Sequence, residues 1–296
     1  MGLSHAAMAR LIDPNAAIDI YEPNFGARLF INFISGAPVR AVSSINSFDA
    51  YTHAIIASPP KYHKLNYEAL KKDGFNGKVF VEKPVMLPSV SGEPQFQSGY
   101  VLRHNYFVRK ILDAIARDEI KTVAVVLKTN QDFDSDAKNW RMKQAFAGQG
   151  LLNEFGSHCI NLALAVCGPL GISRVENNRG KVVMAGRSDR GSDVCITLLS
   201  SCTDVRKSVF ELEVETGTGV YTSDMYSFKH ESSDGDSFEE SSLASEGVNA
   251  RAYLRGIDFS VQMATFIEGE YDSDDITHGL MSDVILANAE RIISNA

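Results

Sequence analysis

The chain has 296 residues and a mass of 32.4 kDa, a length that favours two domains over one. Apolar residues make up 44% and charged residues 22%, which is typical of a globular protein and excludes collagen, coiled coil and general disorder. With 29 basic and 37 acidic residues, the net charge is −8, so binding to nucleic acid or to an anionic membrane is disfavoured.

Neither a membrane span nor a secretory signal is evident. No apolar run approaches the roughly 18 residues that a span needs. The N-terminus lacks the basic, apolar and small-residue regions of a signal peptide. The cysteines show no CxxC spacing, so we predict free thiols in a cytoplasmic protein and no metal site. They are Cys159, Cys167, Cys195 and Cys202.

The first hundred residues alternate between helical and extended segments. The apolar run 53–58, closed by Pro59 and Pro60, is typical of a strand buried on both faces of a parallel sheet. A helix at 62–72 and a strand at 78–81 complete a β-α-β unit. Before that unit, helices are predicted at 6–11 and 26–34 and a strand at 17–21.

The pattern changes after about residue 100. Alternating apolar and charged residues at 194–198 and 210–215 predict strands with one packed face and one solvated face, hence a largely antiparallel sheet. Segment 230–247, rich in serine and acidic residues, is predicted to be a long, solvated, mobile loop. Helices are predicted at 106–118, 151–166 and 279–294, and a further strand at 123–127. We therefore predict a parallel α/β domain over residues 1–99 and an α+β domain over residues 100–296.

Lys83 is the first candidate for chemistry. It follows a predicted buried strand and precedes Pro84, and ligands of open α/β sheets bind at the carboxyl ends of the strands. A lysine there can point into the crevice and polarise a hydroxyl or carbonyl group. The alternative is an ordinary surface lysine.

Glu154 and His158 are four residues apart in a predicted helix, a spacing that places both on one face. A carboxylate that orients an imidazole supports a general base. Gly156 between them is costly in a helix unless a group such as a ligand packs closely. The alternative is a surface Glu–His pair of small energetic value.

Two other positions suggest cofactor contacts. Glu22 closes the second apolar strand, where an acid can accept hydrogen bonds from a ribose diol and so favours NAD over NADP. Trp140 and Arg141 precede a glycine-containing turn and suggest a stacking or phosphate contact. The alternative for Glu22 is a solvated strand end.

Three ordered segments together resemble the glucose–fructose oxidoreductase/inositol dehydrogenase (Gfo/Idh/MocA) family. They are HAIIASPPKYH at 53–63, KVFVEKP at 78–84, and the segment from Asn139 to Pro169. The last contains Trp140, Arg141, a glycine turn, a Glu-x-Gly-x-His helix and a closing Gly-Pro.

The resemblance implies a Rossmann-like parallel sheet and an NAD- or NADP-dependent oxidation of a secondary hydroxyl on a sugar, cyclitol or nucleotide sugar. His158 would take the hydroxyl proton and Lys83 would hydrogen-bond the reacting oxygen, with Glu154 as support. Asn161 would contact substrate. The implied cofactor-binding residues are Gly2, Ser4, Glu22, Ser58, Pro59, Pro60, His63, Glu82, Lys83, Trp140 and Arg141.

The chain departs from the family pattern at several positions. Glu154 and Asn161 stand where aspartates are usual. Gly2 matches the last glycine of the phosphate-binding loop, so the family's first strand and first two glycines are missing. Two explanations are open: a native chain that starts about ten residues earlier, which we favour, or a genuine short form that binds cofactor poorly.

The resemblance also implies a homodimer or homotetramer with a small carbohydrate or cyclitol as substrate. Two alternatives to a dehydrogenase stay open. One is an NAD-dependent glycosidase on the same scaffold. The other is a non-catalytic regulator that senses a sugar or cofactor.

Overall fold

The structure is a computed structural model, and it describes the chain in eight segments. They are residues 2–35, 38–45, 47–87, 96–133, 150–205, 208–241, 250–269 and 273–295.

The first part of the chain alternates helices with short parallel strands, as predicted. A 3-10 turn at Pro60–Tyr62 precedes the third helix. The strand predicted at 78–81 is found with the same bounds. The elements are α1 (Gly2–Ile12), β1 (Ile18–Tyr21), α2 (Phe25–Ser35), β2 (Val39–Val42), β3 (His53–Ile56), α3 (His63–Lys72), β4 (Lys78–Val81) and β5 (Phe96–Ser98).

These parallel strands form two separate sheets within the described residues. One contains β1 and β2, and the other has the order β3-β4-β5. A side-chain contact joins them, because the Tyr51 hydroxyl before β3 donates to the Asp19 carboxylate of β1 at 2.5 Å.

The second part contains one large sheet and most of the remaining helices. A 3-10 turn at Val101–His104 leads into it, and a π-helical turn at Leu152–Gly156 precedes its second helix. The elements are α4 (Tyr106–Ile115), β6 (Ile120–Thr129), α5 (Ser157–Cys167), β7 (Leu170–Asn178), β8 (Lys181–Ser188), β9 (Asp193–Leu199), β10 (Ser208–Thr216), β11 (Gly219–Ser223), β12 (Ser227–Ser232), β13 (Ser237–Ser241), α6 (Ala250–Glu268) and α7 (Ser273–Ser294).

The large sheet has eight strands in the order β13-β12-β11-β10-β6-β9-β8-β7. The β6–β9 pair is parallel and the other pairs are antiparallel. Alternate side chains turn toward the core, among them Val125, Leu127, Ile196 and Leu198 at 0% exposure. Helix α5 packs on this apolar face, so the predicted one-faced antiparallel sheet is confirmed.

The two C-terminal helices return to the first part of the chain. Helix α6 packs against α1, and its Phe266 contacts Phe80 of β4 with ring centroids 5.5 Å apart. Helix α7 lies against β5, where Asp275 accepts a 2.6 Å hydrogen bond from the Ser98 hydroxyl. The strand ends of the first part are therefore held by helices from the far end of the chain.

The prediction of a loop at 230–247 is wrong over its first part, where β12 and β13 form a hairpin at the edge of the large sheet. Phe228 and Phe238 contact each other across this hairpin, and Lys110 of α4 pairs with Glu240. Edge strands carry many charged residues, which conceals them in the sequence. Residues 242–249 lie outside the described residues.

Candidate active site

Lys83 lies in a crevice wall, two residues after the end of the buried strand β4. The side chain is half-buried, and its Nζ donates a 2.8 Å hydrogen bond to the backbone carbonyl of Glu154. Glu154 lies 71 residues further along the chain. This bond orients the ammonium group toward the second part of the molecule, as a crevice lysine requires.

His158 is the second residue of α5 and is half-buried. Its ring makes edge contacts with Tyr100 and Phe210, with centroids 5.8 and 6.0 Å apart. These two aromatic rings limit the rotation of the imidazole. This packing helps to hold the ring in place, since Tyr100 is fully buried and Phe210 belongs to the large sheet.

Lys83 and His158 line the same cavity, of about 140 Å³. The end of β4 and the start of α5 bring them together although they are far apart in sequence. Asp258 of α6 lines the same cavity and is 6% exposed. Its carboxylate accepts a 3.1 Å hydrogen bond from the Asn105 side chain, whose oxygen caps the start of α4. We did not predict Asp258 from the sequence, since no local motif marks it.

Glu154 contributes a different group from the one we expected. The π-helical turn at Leu152–Gly156 has wider hydrogen-bond spacing than an α-helix, so the i, i+4 argument for Glu154 and His158 does not apply there. The contact that the structure gives from Glu154 to the crevice is through its backbone carbonyl, to Lys83.

Gly156 is close-packed against protein side chains. A Cβ there would lie 2.8 Å from Leu152 Cδ1 and 3.4 Å from Leu286 Cδ1 of α7. The close-packed group that we expected at this glycine is therefore supplied by protein side chains.

Asn161 lies one helical turn after His158, on the same side of α5. It is 1% exposed, and within the described residues neither its amide nitrogen nor its amide oxygen has a hydrogen-bond partner. A buried amide without partners is costly and points to an ordered water or a ligand group that supplies them.

The loop after β3 holds Ser58, Pro59 and Pro60, all half-buried at the same edge as Lys83. His63, which we expected to touch cofactor, is instead fully buried. Its Nε2 lies 2.8 Å from the Ser58 carbonyl and its Nδ1 lies 2.9 Å from the Pro84 carbonyl. Burial lowers the pKa of His63, and these carbonyl contacts partly offset that effect. His63 therefore braces the two strand-end loops against each other.

Three of the other expected cofactor contacts lie at the start of α1 and after β1. Gly2 begins α1, and a Cβ there would have no atom within 4 Å. Ser4 is exposed in the first turn of the same helix. Glu22 directly follows β1, and its carboxylate accepts a 2.8 Å hydrogen bond from the Asn24 backbone. Trp140 and Arg141 lie outside the described residues.

Glu82, also expected to contact cofactor, is 8% exposed and lines the cavity beside Lys83. Its Oε1 lies 2.6 Å from Nε2 of His5, a buried residue of α1 that we did not single out in the sequence. The two residues are 77 positions apart, so no local pattern could have paired them.

A buried carboxyl group, Asp283, lies near Tyr100, whose ring contacts His158. Burial raises the pKa of Asp283 on α7 to about 6, and the Met86 backbone N–H donates to its carboxylate. Burial and the negative charge of Asp283 raise the pKa of the Tyr100 hydroxyl well above its usual value. Tyr100 therefore stays neutral beside the His158 ring.

The buried cysteines fit a packing role. Burial raises the pKa of the Cys159 thiol, and it raises that of Cys167 to about 11. Both are therefore poor nucleophiles at neutral pH. Among the helices of the described residues, none is both long enough and apolar enough to cross a membrane.

No protein-family model matches the chain, and no curated protein matches it in sequence. Solved structures match it in fold over nearly its whole length. A levoglucosan dehydrogenase in complex with NADH and levoglucosan is 15% identical, with a TM-score of 0.75 over 98% of this chain and 93% of that one. An oxidoreductase domain protein from Kribbella flavida is 16% identical, with a TM-score of 0.78 over 100% and 95%.

A third solved structure is the WlbA dehydrogenase from Bordetella pertussis in complex with NADH and UDP-GlcNAcA. It is 16% identical, with a TM-score of 0.71 over 99% of this chain and 92% of that one. The two-part fold expected from the sequence is therefore confirmed as the fold of these structures.

Proposed function

We propose that this chain, which has the fold of the Gfo/Idh/MocA oxidoreductases, is an NAD- or NADP-dependent dehydrogenase. Its substrate would be a secondary hydroxyl of a sugar, cyclitol or nucleotide sugar. The observation that supports this most strongly is the meeting of Lys83 and His158 in one cavity at the carboxyl end of a parallel strand. We propose that residues 1–99 bind cofactor and that residues 100–296 bind substrate.

The residues at the strand ends fit a dinucleotide. Gly2 leaves open space at the start of α1, where a helix N-terminus favours a phosphate group. Glu22 follows β1 about 20 residues later, the position from which an acid reaches the ribose hydroxyls of NAD. A nicotinamide dinucleotide, when bound, supplies the acceptor for hydride.

The protein's own side chains would accept the proton and stabilise the reacting oxygen. His158 would accept the proton of the reacting hydroxyl, since imidazole is the side-chain group that most often serves as a general base. The Lys83 ammonium would donate a hydrogen bond to the same oxygen and stabilise the negative charge that develops on it. The Glu154 carbonyl orients that ammonium through the 2.8 Å bond already described.

The substrate side of the cavity offers polar groups suited to a polyol. Asp258 presents a buried carboxylate to the cavity. Asn161 does not line the cavity but lies one helical turn after His158, and its buried amide lacks partners within the described part of the chain. Hydroxyl groups both donate and accept hydrogen bonds, so a carbohydrate can satisfy such groups. The levoglucosan and UDP-GlcNAcA named with two of the similar structures agree with this substrate class.

The direct test is NADH fluorescence during incubation with NAD and a panel of sugars, cyclitols and nucleotide sugars. Lys83→Ala should reduce the rate on the best substrate about 10²- to 10⁴-fold, the usual range for loss of acid–base assistance. Lys72→Ala is the matched control, because Lys72 is an exposed lysine at the end of α3 and should retain full activity. A Lys83→Ala variant that oxidises the best substrate as fast as the parent protein would contradict the proposal.

One observation favours a second candidate, a non-catalytic sensor. The separation of β1–β2 from β3–β4–β5 leaves the phosphate-binding edge less complete than in a continuous sheet. Saturable binding of a sugar with no NADH formed on any panel member would support that candidate over the dehydrogenase.

A further inference from the structure

His5 and Glu82 form a buried pair behind the crevice lysine. His5 lies in the first turn of α1, Glu82 follows β4, and their side-chain atoms Nε2 and Oε1 are 2.6 Å apart. The two residues are only 3% and 8% exposed. A buried carboxylate is costly without a hydrogen-bond partner, so this contact decides where the Glu82 side chain rests.

The second oxygen of Glu82 reaches the backbone of Lys83. The Lys83 N–H donates to Glu82 Oε2 at 3.2 Å. Gly99 closes the other side, because a Cβ at that position would lie 2.8 Å from Glu82 Cα and 3.1 Å from Oε2. The Glu82 carboxylate is therefore held between α1, the Lys83 backbone and the end of β5.

The His5 ring is itself held by packing. It lies 5.0 Å from the Phe80 ring, Phe80 lies 5.5 Å from Phe266, and Phe266 lies 5.2 Å from His53. These four rings form a row. His5 is at the end of the row next to Glu82, and His53 is at the other end. This packing favours the orientation in which His5 faces Glu82.

We infer that His5 is a positioning residue that acts through Glu82 to hold Lys83 in its working orientation. The inference rests on the proposed function, in which the Lys83 ammonium contacts the reacting oxygen. Without a donor from His5, the Glu82 carboxylate gains by pairing with a cation, and Lys83 lines the same cavity. That pairing would draw Nζ away from the Glu154 carbonyl and from the substrate.

The pair also connects two parts of the site. His5 lies three residues after Gly2, where we propose that the cofactor phosphates bind, while Glu82 directly precedes Lys83. The start of α1 and the crevice lysine thus share one hydrogen-bonded contact. A displacement of α1 would therefore move Glu82, and with it the Lys83 backbone, through this contact.

The test compares two substitutions at His5. His5→Phe keeps a ring against Phe80 but removes the donor, and His5→Gln keeps a donor near the position of Nε2. We expect His5→Phe to lower kcat about tenfold or more, with KM for the polyol changed less than about twofold, because a displaced group loses transition-state stabilisation more than ground-state binding. His5→Gln should recover most of the lost kcat.

His53→Phe is the matched control. His53 contacts Phe266 in the same row and its Nε2 lies 3.2 Å from the Ile267 carbonyl, so the variant removes a comparable contact at the far end of the sheet. The His53→Phe variant should have the same kcat as the parent protein. Thermal unfolding of each variant verifies that it is folded. If His5→Phe does not fold, His5→Leu takes its place, since it also removes the donor and leaves the Glu82 carboxylate free to pair with Lys83.

A second measurement needs neither cofactor nor turnover. The rate at which acetic anhydride acetylates Lys83, followed by mass spectrometry of its peptide, reports whether the amine is paired. We expect His5→Phe to slow this acetylation severalfold, while His5→Gln and His53→Phe match the parent protein. Acetylation and kcat that are unchanged in His5→Phe would overturn the inference.

Two further outcomes separate this inference from the proposed function. A parent protein that oxidises no polyol contradicts the proposed function, and the positioning role falls with it. A parent protein that turns over, with His5→Phe and His53→Phe equally slow, contradicts the positioning role alone. In a Lys83→Ala background, His5→Phe should cause no further loss of kcat. An additive loss of kcat would also contradict the positioning role.

Discussion

The two halves of the molecule differ in how completely their sheets are built. In the second half, eight strands pair continuously, and their inward side chains form a core with residues such as Ile196 at 0% exposure. In the first half, the described residues form five strands in two separate parallel sheets. Helix α2 leaves large apolar side chains exposed, namely Phe25, Leu29, Phe30, Phe33 and Ile34.

The proposed chemistry nevertheless depends on strand ends from the less complete half. Lys83 gains its orientation from the second half, through the Glu154 carbonyl. Phe80 packs against Phe266 of α6, which also belongs to the second half. The comparison therefore indicates that the large sheet and its helices hold the proposed site in place, and we propose that the strand ends of the small sheets form the edge at which ligands bind.

The largest expected difference in stability comes from matched core truncations. Ile196→Ala should lower the free energy of unfolding by about 2–5 kcal/mol, because it opens a cavity in a close-packed core. Ile20→Ala, on the half-buried strand β1, should cost clearly less. Urea unfolding of both variants checks this, and equal losses would contradict the contrast between the halves.

The junction between the halves should show a pH-dependent effect through Asp283. Its pKa is raised from 3.8 to about 6, so the native state binds this proton more tightly than the unfolded state. The stabilisation is complete below pH 3.8 and is lost as the pH rises through 6. Asp283→Asn removes this dependence and keeps an oxygen for the Met86 N–H.

The variant should therefore gain stability relative to the parent protein as the pH rises from 4 to 7, by up to about 3 kcal/mol. Chemical unfolding at several pH values measures the difference. A difference that is constant with pH would show that burial does not perturb this carboxyl group.

A smaller loss of stability is expected where the π-helical turn before α5 meets α7. Gly156→Ala would place a Cβ 2.8 Å from Leu152 and 3.4 Å from Leu286, so we expect a loss of about 1–3 kcal/mol from overpacking. Gly156→Ala combined with Leu152→Val should recover part of that loss. If Gly156→Ala is as stable as the parent, the glycine is not explained by packing.

The sequence predicted the elements with a clear local signal. Strand β4 was predicted with its observed bounds because a short apolar run lies between Gly77 and the Glu82-Lys83-Pro84 segment. Lys83 and His158 were predicted from a strand end and from a family resemblance, and the structure brings them into one cavity.

The remaining features depend on tertiary contacts or on subtle local geometry. The π-helical turn at Leu152–Gly156 has no residue pattern that distinguishes it from an α-helix. The His5–Glu82 pair joins two distant segments, and His63 is buried because two loops close over it. Strands β12 and β13 were missed because charged and serine residues dominate this sheet edge.

The most direct test of the account is equilibrium binding of NADH, followed by the change in its fluorescence on titration with the folded protein. The account predicts saturable binding with one site per chain. It also predicts that Glu22→Ala weakens this binding, while the control Glu68→Ala on the exposed side of α3 does not. A folded protein that binds neither NADH nor NADPH at millimolar concentration would contradict the proposal that the strand-end crevice is a dinucleotide site.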